Sequence, residues 1–157
     1  MSRRRQATRR PVTKDAKYDN VLVSRLVNTV MRSGKKSTAQ RIVYGAFDQI
    51  VAKTPGASPL EILTRAVDNA KPRIETKPRR VGGATYQVPL EIPSGRQFAL
   101  ALRWLVDFAD ARKGMPMKEA LAAEIMEAYQ GQGNAIRKRD DVHKMAQANK
   151  AFAHFRW

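Results

Sequence analysis

The sequence predicts a mainly α-helical fold, a bundle of six helices with one protruding β-hairpin inserted between the third and fourth helices. Apolar residues recur at every third or fourth position through most of the 157-residue chain, as in amphipathic helices. One stretch, at about 73–92, changes to alternation and carries Gly82-Gly83 near its centre, which is typical of a two-residue hairpin loop. Apolar residues make up 43% of the chain, enough for a core in a domain of this length.

The first two helices are indicated by a cap and by two apolar stripes. Asp19 or Asn20 can cap the first helix, and Gly34 suits a left-handed stop. The second helix is predicted from residue 37 or 38 to about residue 53, where Pro55-Gly56 ends it. The stripes consist of Leu22, Val23, Leu26, Val27 and Val30 in the first helix, and Ala39, Ile42, Val43, Ala46, Phe47, Ile50 and Val51 in the second.

The third and fourth helices each begin with a pattern that resembles a capping box. Ser58-Pro59-Leu60-Glu61 opens the third helix, with proline at the first helical position, and Lys71-Pro72 closes it. Ser94-Gly95-Arg96-Gln97 opens the fourth, which is predicted over about 96–111. This helix is the most apolar, so we expect it at the centre of the core. Its apolar residues are Phe98, Ala101, Leu102, Trp104, Leu105, Phe108 and Ala109.

The last two helices follow a proline and a glycine-rich stop. Pro116 can open the fifth helix, which is expected to bury Leu121, Ile125 and Met126 and to end at Gly131-Gln132-Gly133. The sixth is predicted from Asn134. It is polar at first and then carries Val142, Met145, Ala146 and Phe152.

The N-terminus is predicted to be a basic, flexible arm over residues 1–17, before a single helical domain over 18–157. Arg3, Arg4, Arg5, Arg9 and Arg10 place five charges within ten residues, with no acidic residue among them. Such a run cannot bury itself, and it is expected to bind a polyanion.

The overall charge predicts a nucleic acid as partner. Lys and Arg number 30 against 14 Asp and Glu, a net charge of +16. Nucleic acid is the natural polyanion for such a chain, with an anionic membrane surface second. The chain has no Cys, which excludes disulfides, thiolate zinc sites and a thiol nucleophile. No apolar run approaches the roughly 20 residues of a membrane span.

Basic residues also gather in three groups beyond the arm. Lys35 and Lys36 follow Gly34 at a helix start, where backbone N–H groups favour an anion. The hairpin carries Arg73, Lys77, Arg79 and Arg80, with Arg96 close behind, and Arg137-Lys138-Arg139 opens the last helix. Tyr86 in the hairpin can stack on a base or pack across the strands.

Residues that could perform catalysis are few. His143 and His154 lie eleven positions apart on the predicted last helix, so they could share a face and act as acid and base in RNA cleavage. Asp140 and Asp141 point to different faces of the predicted helix, and the pair Asp107/Asp110 lacks further ligands, so neither suggests a metal site. We therefore expect no catalytic residue, no metal and no cofactor.

Four blocks of sequence resemble the bacterial small-subunit ribosomal protein seven family. The first combines Asn20-Val21-Leu22, Leu26-Val27, Gly34-Lys35-Lys36 and Ile42-Val43 with Ala46. The others are 77–89 (KPRRVGGATYQVP), 101–105 (ALRWL) and 149–157 (NKAFAHFRW). The resemblance covers nearly the whole chain, and four blocks in order make a chance match very unlikely.

This resemblance implies a role that composition does not. The family binds small-subunit ribosomal RNA in the 3′ major domain, nucleates assembly of the subunit head, and lies near the exit-site transfer RNA and the messenger RNA path. Its neighbours are small-subunit proteins nine and eleven, and some members repress their own operon. We expect a non-enzymatic structural protein of the cytoplasmic ribosome, with no membrane partner.

The predicted contacts follow from the basic groups and the resemblance together. Ribosomal RNA contacts are predicted at Arg3, Arg4, Arg5, Arg9, Arg10, Lys35, Lys36, Arg41, Arg73, Lys77, Arg79, Arg80, Arg96, Arg103, Arg137, Lys138 and Arg139. Proximity to transfer or messenger RNA is predicted for Arg80, Val81, Gly82, Gly83, Ala84, Tyr86, Lys150, His154, Arg156 and Trp157. Two alternatives stay open: an architectural DNA protein with a basic β-arm, and a small ribonuclease using the two histidines.

Overall fold

The structure, a computed structural model, describes residues 11–155. The predicted mainly α-helical class, with a hairpin between the third and fourth helices, is confirmed. The elements are α1 (Val21–Val30), α2 (Lys36–Lys53), α3 (Pro59–Ala70), β1 (Ile74–Val81), β2 (Ala84–Glu91), α4 (Ser94–Asp110), α5 (Met117–Tyr129), α6 (Asn134–Ala148) and a C-terminal 3₁₀ helix (Lys150–Phe155). Within the described residues, no helix is both long and apolar enough to span a bilayer.

The predicted helix starts are partly right. Asn20 caps α1, since its side-chain oxygen accepts the N–H of Leu22 at 2.7 Å. The two capping boxes do not form. Ser58 occupies the N-cap position of α3 without a side-chain bond, and the start is set by Pro59, which has no N–H to satisfy. Helix α4 begins at Ser94 itself, so that serine lies inside the helix and Pro93 takes the cap position.

The predicted stop of α1 at Gly34 is also wrong. The helix ends at Val30, and the extended backbone of Met31 caps it. Gly34 instead has φ +73° in the turn that leads into α2, where a left-handed residue reverses the chain.

Helix α5 is the centre of the core and packs on α2, α3, α4 and α6. The expectation that α4 holds this place is wrong. Helix α5 buries the small residues Ala120, Ala122 and Ala128, which allow neighbouring helices to approach closely. Helix α4 carries Trp104 and Phe108, whose bulk is only partly buried at the edge of the core.

Two residues predicted to face the core are exposed. Val51 is 44% exposed in the last turn of α2, at the edge of the apolar stripe. Met145 is 50% exposed, and its sulfur accepts a hydrogen bond from the Thr76 hydroxyl at 3.2 Å. This methionine contacts the hairpin and lies outside the core.

The hairpin has the predicted two-residue loop. Val81 pairs with Ala84, which leaves Gly82 and Gly83 as the turn, with φ values of +56° and +88°. Two consecutive left-handed residues are what a type I′ turn needs. The base of the hairpin is part of the folded body, because Val88 is fully buried and both strands pack on α6.

A buried ion-pair network joins the end of α4 to α5 and α6. Glu124 is fully buried, and its carboxylate accepts bonds from the Arg112 guanidinium and, at 3.0 Å, from the Ala135 N–H at the start of α6. Glu127 accepts a second bond from Arg112 at 2.6 Å. The paired carboxylates raise the pKa of Arg112 above its ordinary value. The network fixes the direction in which α6 leaves the bundle.

Folded contacts reach back to Asp15, within the span predicted as an arm. The Asp15 carboxylate is buried and accepts the hydroxyl of Tyr44 at 2.8 Å. This bond raises the pKa of Tyr44, although burial of the ring is the larger cause. Tyr18 packs on Phe47 with a ring-centroid distance of 5.2 Å. The segment before α1 is thereby held against α2.

Candidate nucleic-acid interface

The five arginines predicted in the arm, Arg3, Arg4, Arg5, Arg9 and Arg10, lie outside the described residues. Their role in RNA binding stays a prediction.

A first basic surface runs from the base of the hairpin across α4 to α1, and we call it the basic face. It consists of Arg25, Lys71, Lys77, Arg96 and Arg103. These side chains form two groups: Arg25, Lys71 and Arg103 lie around Phe98, and Lys77 and Arg96 lie on Glu75. The surface therefore combines elements that are distant in the sequence.

Phe98 organises the middle of the basic face. The guanidinium of Arg25 lies 5.1 Å from the ring centroid, and the ammonium of Lys71 lies 5.2 Å from it. A cation over an aromatic face is held in place while its charge stays available to solvent. Arg103 and Arg25 line the same groove beside Phe98. Lys71 is also ion-paired with Asp68 at 2.6 Å. The exposed guanidinium groups of Arg25 and Arg103 are therefore better placed to meet a phosphate.

The sequence analysis missed Arg25 and Lys71 as candidate contacts. Arg25 is an isolated cation on the polar side of α1, and Lys71 was considered only as the end of α3. No sequence pattern near Arg25 or Lys71 indicates a contact with Phe98, which lies far away in the chain.

Glu75 anchors the hairpin end of the basic face. Its carboxylate accepts two bonds from the Arg96 guanidinium, at 2.9 and 3.0 Å, and lies 3.7 Å from the Lys77 ammonium. These bonds raise the pKa of Arg96. The pair ties β1 to the first turn of α4, so the hairpin leaves the body at a fixed angle.

A second basic surface surrounds the loop between α1 and α2. Lys35, Lys36 and Arg41 are exposed there, as predicted, and Lys36 is the first residue of α2. The first-turn N–H groups of a helix point outward and favour an anion. Arg32 adds a further charge, although it is bonded to Asp110 at 2.9 Å. Lys118 lines the same shallow surface as Arg41.

The basic run at the start of α6 is divided between surface and interior. Arg137 and Lys138 are exposed. The guanidinium of Arg139 instead donates to the Asn69 carbonyl at the end of α3 and to the Asp140 carboxylate. Arg139 therefore secures α6 on α3, and its contact with RNA stays a prediction.

The outer hairpin and the C-terminal 3₁₀ helix lie together. Arg80, Gly82, Gly83 and Ala84 are exposed at the tip, with Val81 half-buried, and Lys150 and His154 are exposed on the 3₁₀ helix. The Arg79 guanidinium donates to the Phe155 carbonyl, and Tyr86 packs on the rings of Phe152 and Phe155. Of the residues predicted near transfer RNA, Arg156 and Trp157 fall outside the described part of the chain.

The two histidines do not share a helix, so the predicted common face is wrong. His143 lies on α6, and its Nε2 accepts the backbone N–H of Arg73 at 2.9 Å. Burial, reinforced by the charge of Arg139, lowers the pKa of His143. His154 lies on the 3₁₀ helix, with its ring 4.0 Å from Phe155. The chain bends at Asn149, the C-cap of α6, which separates them.

Two of the carboxylates considered for a metal site are ion-paired with arginines. Asp110 binds Arg32 and Asp140 binds Arg139. Residues 11–155 hold no group of three or more His, Cys, Asp and Glu side chains placed to bind a metal ion.

Comparison with known proteins gives one consistent result. Residues 2–150 match the family described as ribosomal protein S7p/S5e. Proteins named small ribosomal subunit protein uS7 are 59% identical in Thermotoga petrophila, over 99% of both chains, and 57% identical in Akkermansia muciniphila, over 100% of both chains. The protein of that name from an Anaeromyxobacter species is 54% identical, also over 100% of both chains.

Proposed function

Since this chain belongs to the ribosomal protein S7p/S5e family, we propose that it binds the 3′ major domain of small-subunit ribosomal RNA directly and nucleates assembly of the subunit head. The chain is a structural constituent of the small ribosomal subunit in the bacterial cytoplasm, and it is not an enzyme. The family match and the names of the relatives confirm the family identified from the sequence.

The observation that supports direct RNA binding most strongly is the basic face. Its five cations come from α1, the end of α3, β1 and α4, and they gather in two groups, one around Phe98 and one on Glu75. When lysines and arginines of such a surface neutralise phosphates, the counterions held by the RNA are released, and this release drives binding. Arginine also makes planar, two-point contacts with phosphate.

Nucleation follows from the rigidity of the body. The basic face, the loop surface at Lys35-Lys36 and the exposed pair Arg137-Lys138 lie on different elements of one packed core. A protein that binds separate RNA segments on such surfaces fixes their relative positions. Recognition would depend on RNA shape and on unpaired bases, because side chains do not enter the deep groove of an RNA duplex.

The hairpin tip and the C-terminal segment are assigned to the exit-site transfer RNA and the messenger RNA path. Exposed backbone at Gly82 and Gly83 supports this assignment, because glycine lets a ligand approach the chain closely. Small-subunit proteins nine and eleven are the proposed protein neighbours. Control of the chain's own operon is a further family property that we do not assign.

Binding to a transcript of the 3′ major domain tests the proposal. Arg25→Gln and Arg103→Gln should each weaken binding about tenfold, because a hydrogen bond to a charged group is worth about 1.5 kcal/mol. Each should also flatten the slope of log affinity against log salt by roughly 0.7 to 0.9. Lys53→Gln is the matched control, since Lys53 is exposed at the end of α2, outside these surfaces.

Two outcomes would contradict this function. Equal losses in the Lys53→Gln control and the two arginine variants would mean that only net charge matters. Duplex DNA that competes as well as the transcript would favour an architectural DNA protein instead.

A further inference from the structure

The C-terminal 3₁₀ helix packs on the outer half of the hairpin through aromatic rings. The Tyr86 ring lies 5.0 Å from Phe152 and 5.3 Å from Phe155, measured between centroids. Arg79 is paired directly with Tyr86 in the strand register and donates a hydrogen bond to the Phe155 carbonyl. The aromatic contacts of the 3₁₀ helix and its bond from Arg79 thus converge on one cross-strand pair.

The outer hairpin has little else to hold its direction. A two-stranded ribbon is marginally stable in water. Pro78 and Pro89 remove two N–H donors from the strands, and the residues from Gly82 to Thr85 are exposed. Val88 and the Glu75–Arg96 pair fix the base only. Beyond the base, the orientation of the ribbon depends on the 3₁₀ helix.

We propose that the C-terminal 3₁₀ helix is a clasp that fixes the direction of the hairpin tip, with Tyr86 and Phe155 as positioning residues. In this arrangement the Tyr86 ring is occupied by protein and does not stack on a base. The functional consequence rests on the proposed function, in which the tip faces RNA, whereas the conformational claim does not.

The clasp also holds like charges together. Lys150 is exposed on the 3₁₀ helix beside a hairpin that carries Arg79 and Arg80. Aromatic packing offsets their repulsion, so the clasp concentrates positive charge on one side of the tip. Two segments that are far apart in the chain then present a single basic surface.

Distance measurements between two spin labels test the clasp in the free protein. The chain has no Cys, so Ala52→Cys on α2 and Ala84→Cys at the tip give two unique sites, both exposed. The parent labelled protein and its Tyr86→Phe variant should give the same narrow distance distribution, because phenylalanine retains the ring. Tyr86→Ala and Phe155→Ala should each broaden it, while circular dichroism shows the helices unchanged. A broad distribution in the parent, or an unchanged width in both alanine variants, would overturn the clasp.

Cleavage of bound ribosomal RNA by iron tethered at Ala84→Cys tests the functional consequence. We expect focused cleavage in the parent and in Tyr86→Phe. Tyr86→Ala and Phe155→Ala should each spread the cleavage over many nucleotides. The variant that carries both changes should spread it no further, because both changes release the same clasp. Loss of focus in Tyr86→Phe would mean that the hydroxyl contacts RNA, which contradicts a positioning role. Absence of cleavage in a bound complex would refute the proposed position of the tip near RNA. The clasp itself would still be tested by the distances between the spin labels in the free protein.

Discussion

At the scale of single residues, basic side chains divide between surface charge and internal structure. Arg112 and Arg139 are half-buried and bond carboxylates and a helix-end carbonyl, whereas the exposed Arg25 keeps its charge at the surface over Phe98. Both kinds look alike in the sequence. What separates them is whether the fold brings an acceptor within reach of the guanidinium.

Among the described glycines, Gly133 leaves the least space for an added side chain. Its φ is +93°, and an added Cβ would lie 3.0 Å from both the Cβ and the Oε2 of Glu127. Gly133→Ala should therefore lower the free energy of unfolding by about 2–3 kcal/mol, through backbone strain plus displacement of the buried network. Gly131→Ala is the control, because its φ is +77° with open space around it. It should cost only about 1 kcal/mol in urea unfolding. Equal losses would mean that the contact with Glu127 does not matter.

His143 predicts a pH dependence of stability with a definite sign. Because its pKa is lowered in the folded protein, the unfolded chain binds the proton more readily. The contribution of His143 to the free energy of unfolding is complete above the pKa of the unfolded chain, about 6.5. It is lost as the pH falls through the lower pKa of the folded protein. His143→Gln should reduce the loss of stability between about pH 7 and about pH 5, measured by urea unfolding. Identical profiles for the parent and His143→Gln would contradict this account.

At the scale of elements, the hairpin combines a structural base and an exposed tip. The base is held by Val88, His143 and Glu75, and the outer cross-strand pair is Arg79 with Tyr86. The residues beyond that pair contribute little burial. The division suggests where the ribbon can be shortened without disturbing the fold.

Deletion of Arg80, Val81, Ala84 and Thr85 is the appropriate shortening. It joins Arg79 to Tyr86 through Gly82-Gly83, so the register and the two-residue turn are kept. Helix content should be unchanged, and Tm should shift by no more than about 4 °C. Binding to isolated ribosomal RNA should fall only partly, while assembled ribosomes should show altered retention of exit-site transfer RNA or altered reading-frame fidelity. Outright unfolding would show that the tip is structural, and normal translation in both respects would refute its role.

At the scale of the whole molecule, binding surfaces lie on a core organised around α5. Contacts of α5 with α2, α3, α4 and α6 fix the relative positions of the surfaces. The net charge of +16 then acts on RNA from several directions at once. Arg3, Arg4, Arg5, Arg9 and Arg10 supply five of the positive charges.

Deletion of residues 1–10 should weaken RNA binding and leave the fold intact. The deletion removes five arginines, so the log–log salt slope should flatten by roughly 0.7 to 0.9 for each phosphate that the protein no longer neutralises. Tm should barely change, because the described contacts with the helical body, at Val12 and Asp15, lie beyond the deleted residues. An unchanged salt slope would show that the arm does not bind RNA.

The elements and the class of partner could be predicted from the amino-acid sequence alone. The apolar stripes placed the helices, Gly82-Gly83 placed the turn, and the excess of Lys and Arg indicated a polyanion. These signals are local or compositional. Helix period, turn dihedrals and net charge depend on residues close in the chain or on their sum.

Which residues act together became clear only from the folded chain. The central place of α5, the buried Glu124–Arg112 pair, the two cations over Phe98 and the packing of Tyr86 on Phe155 all join residues that are separated in the chain. Each depends on the space, burial and acceptors that a neighbouring element supplies. An arginine that is bonded to a carboxylate and one that lies over an aromatic ring differ in that neighbour alone, which no local sequence pattern records.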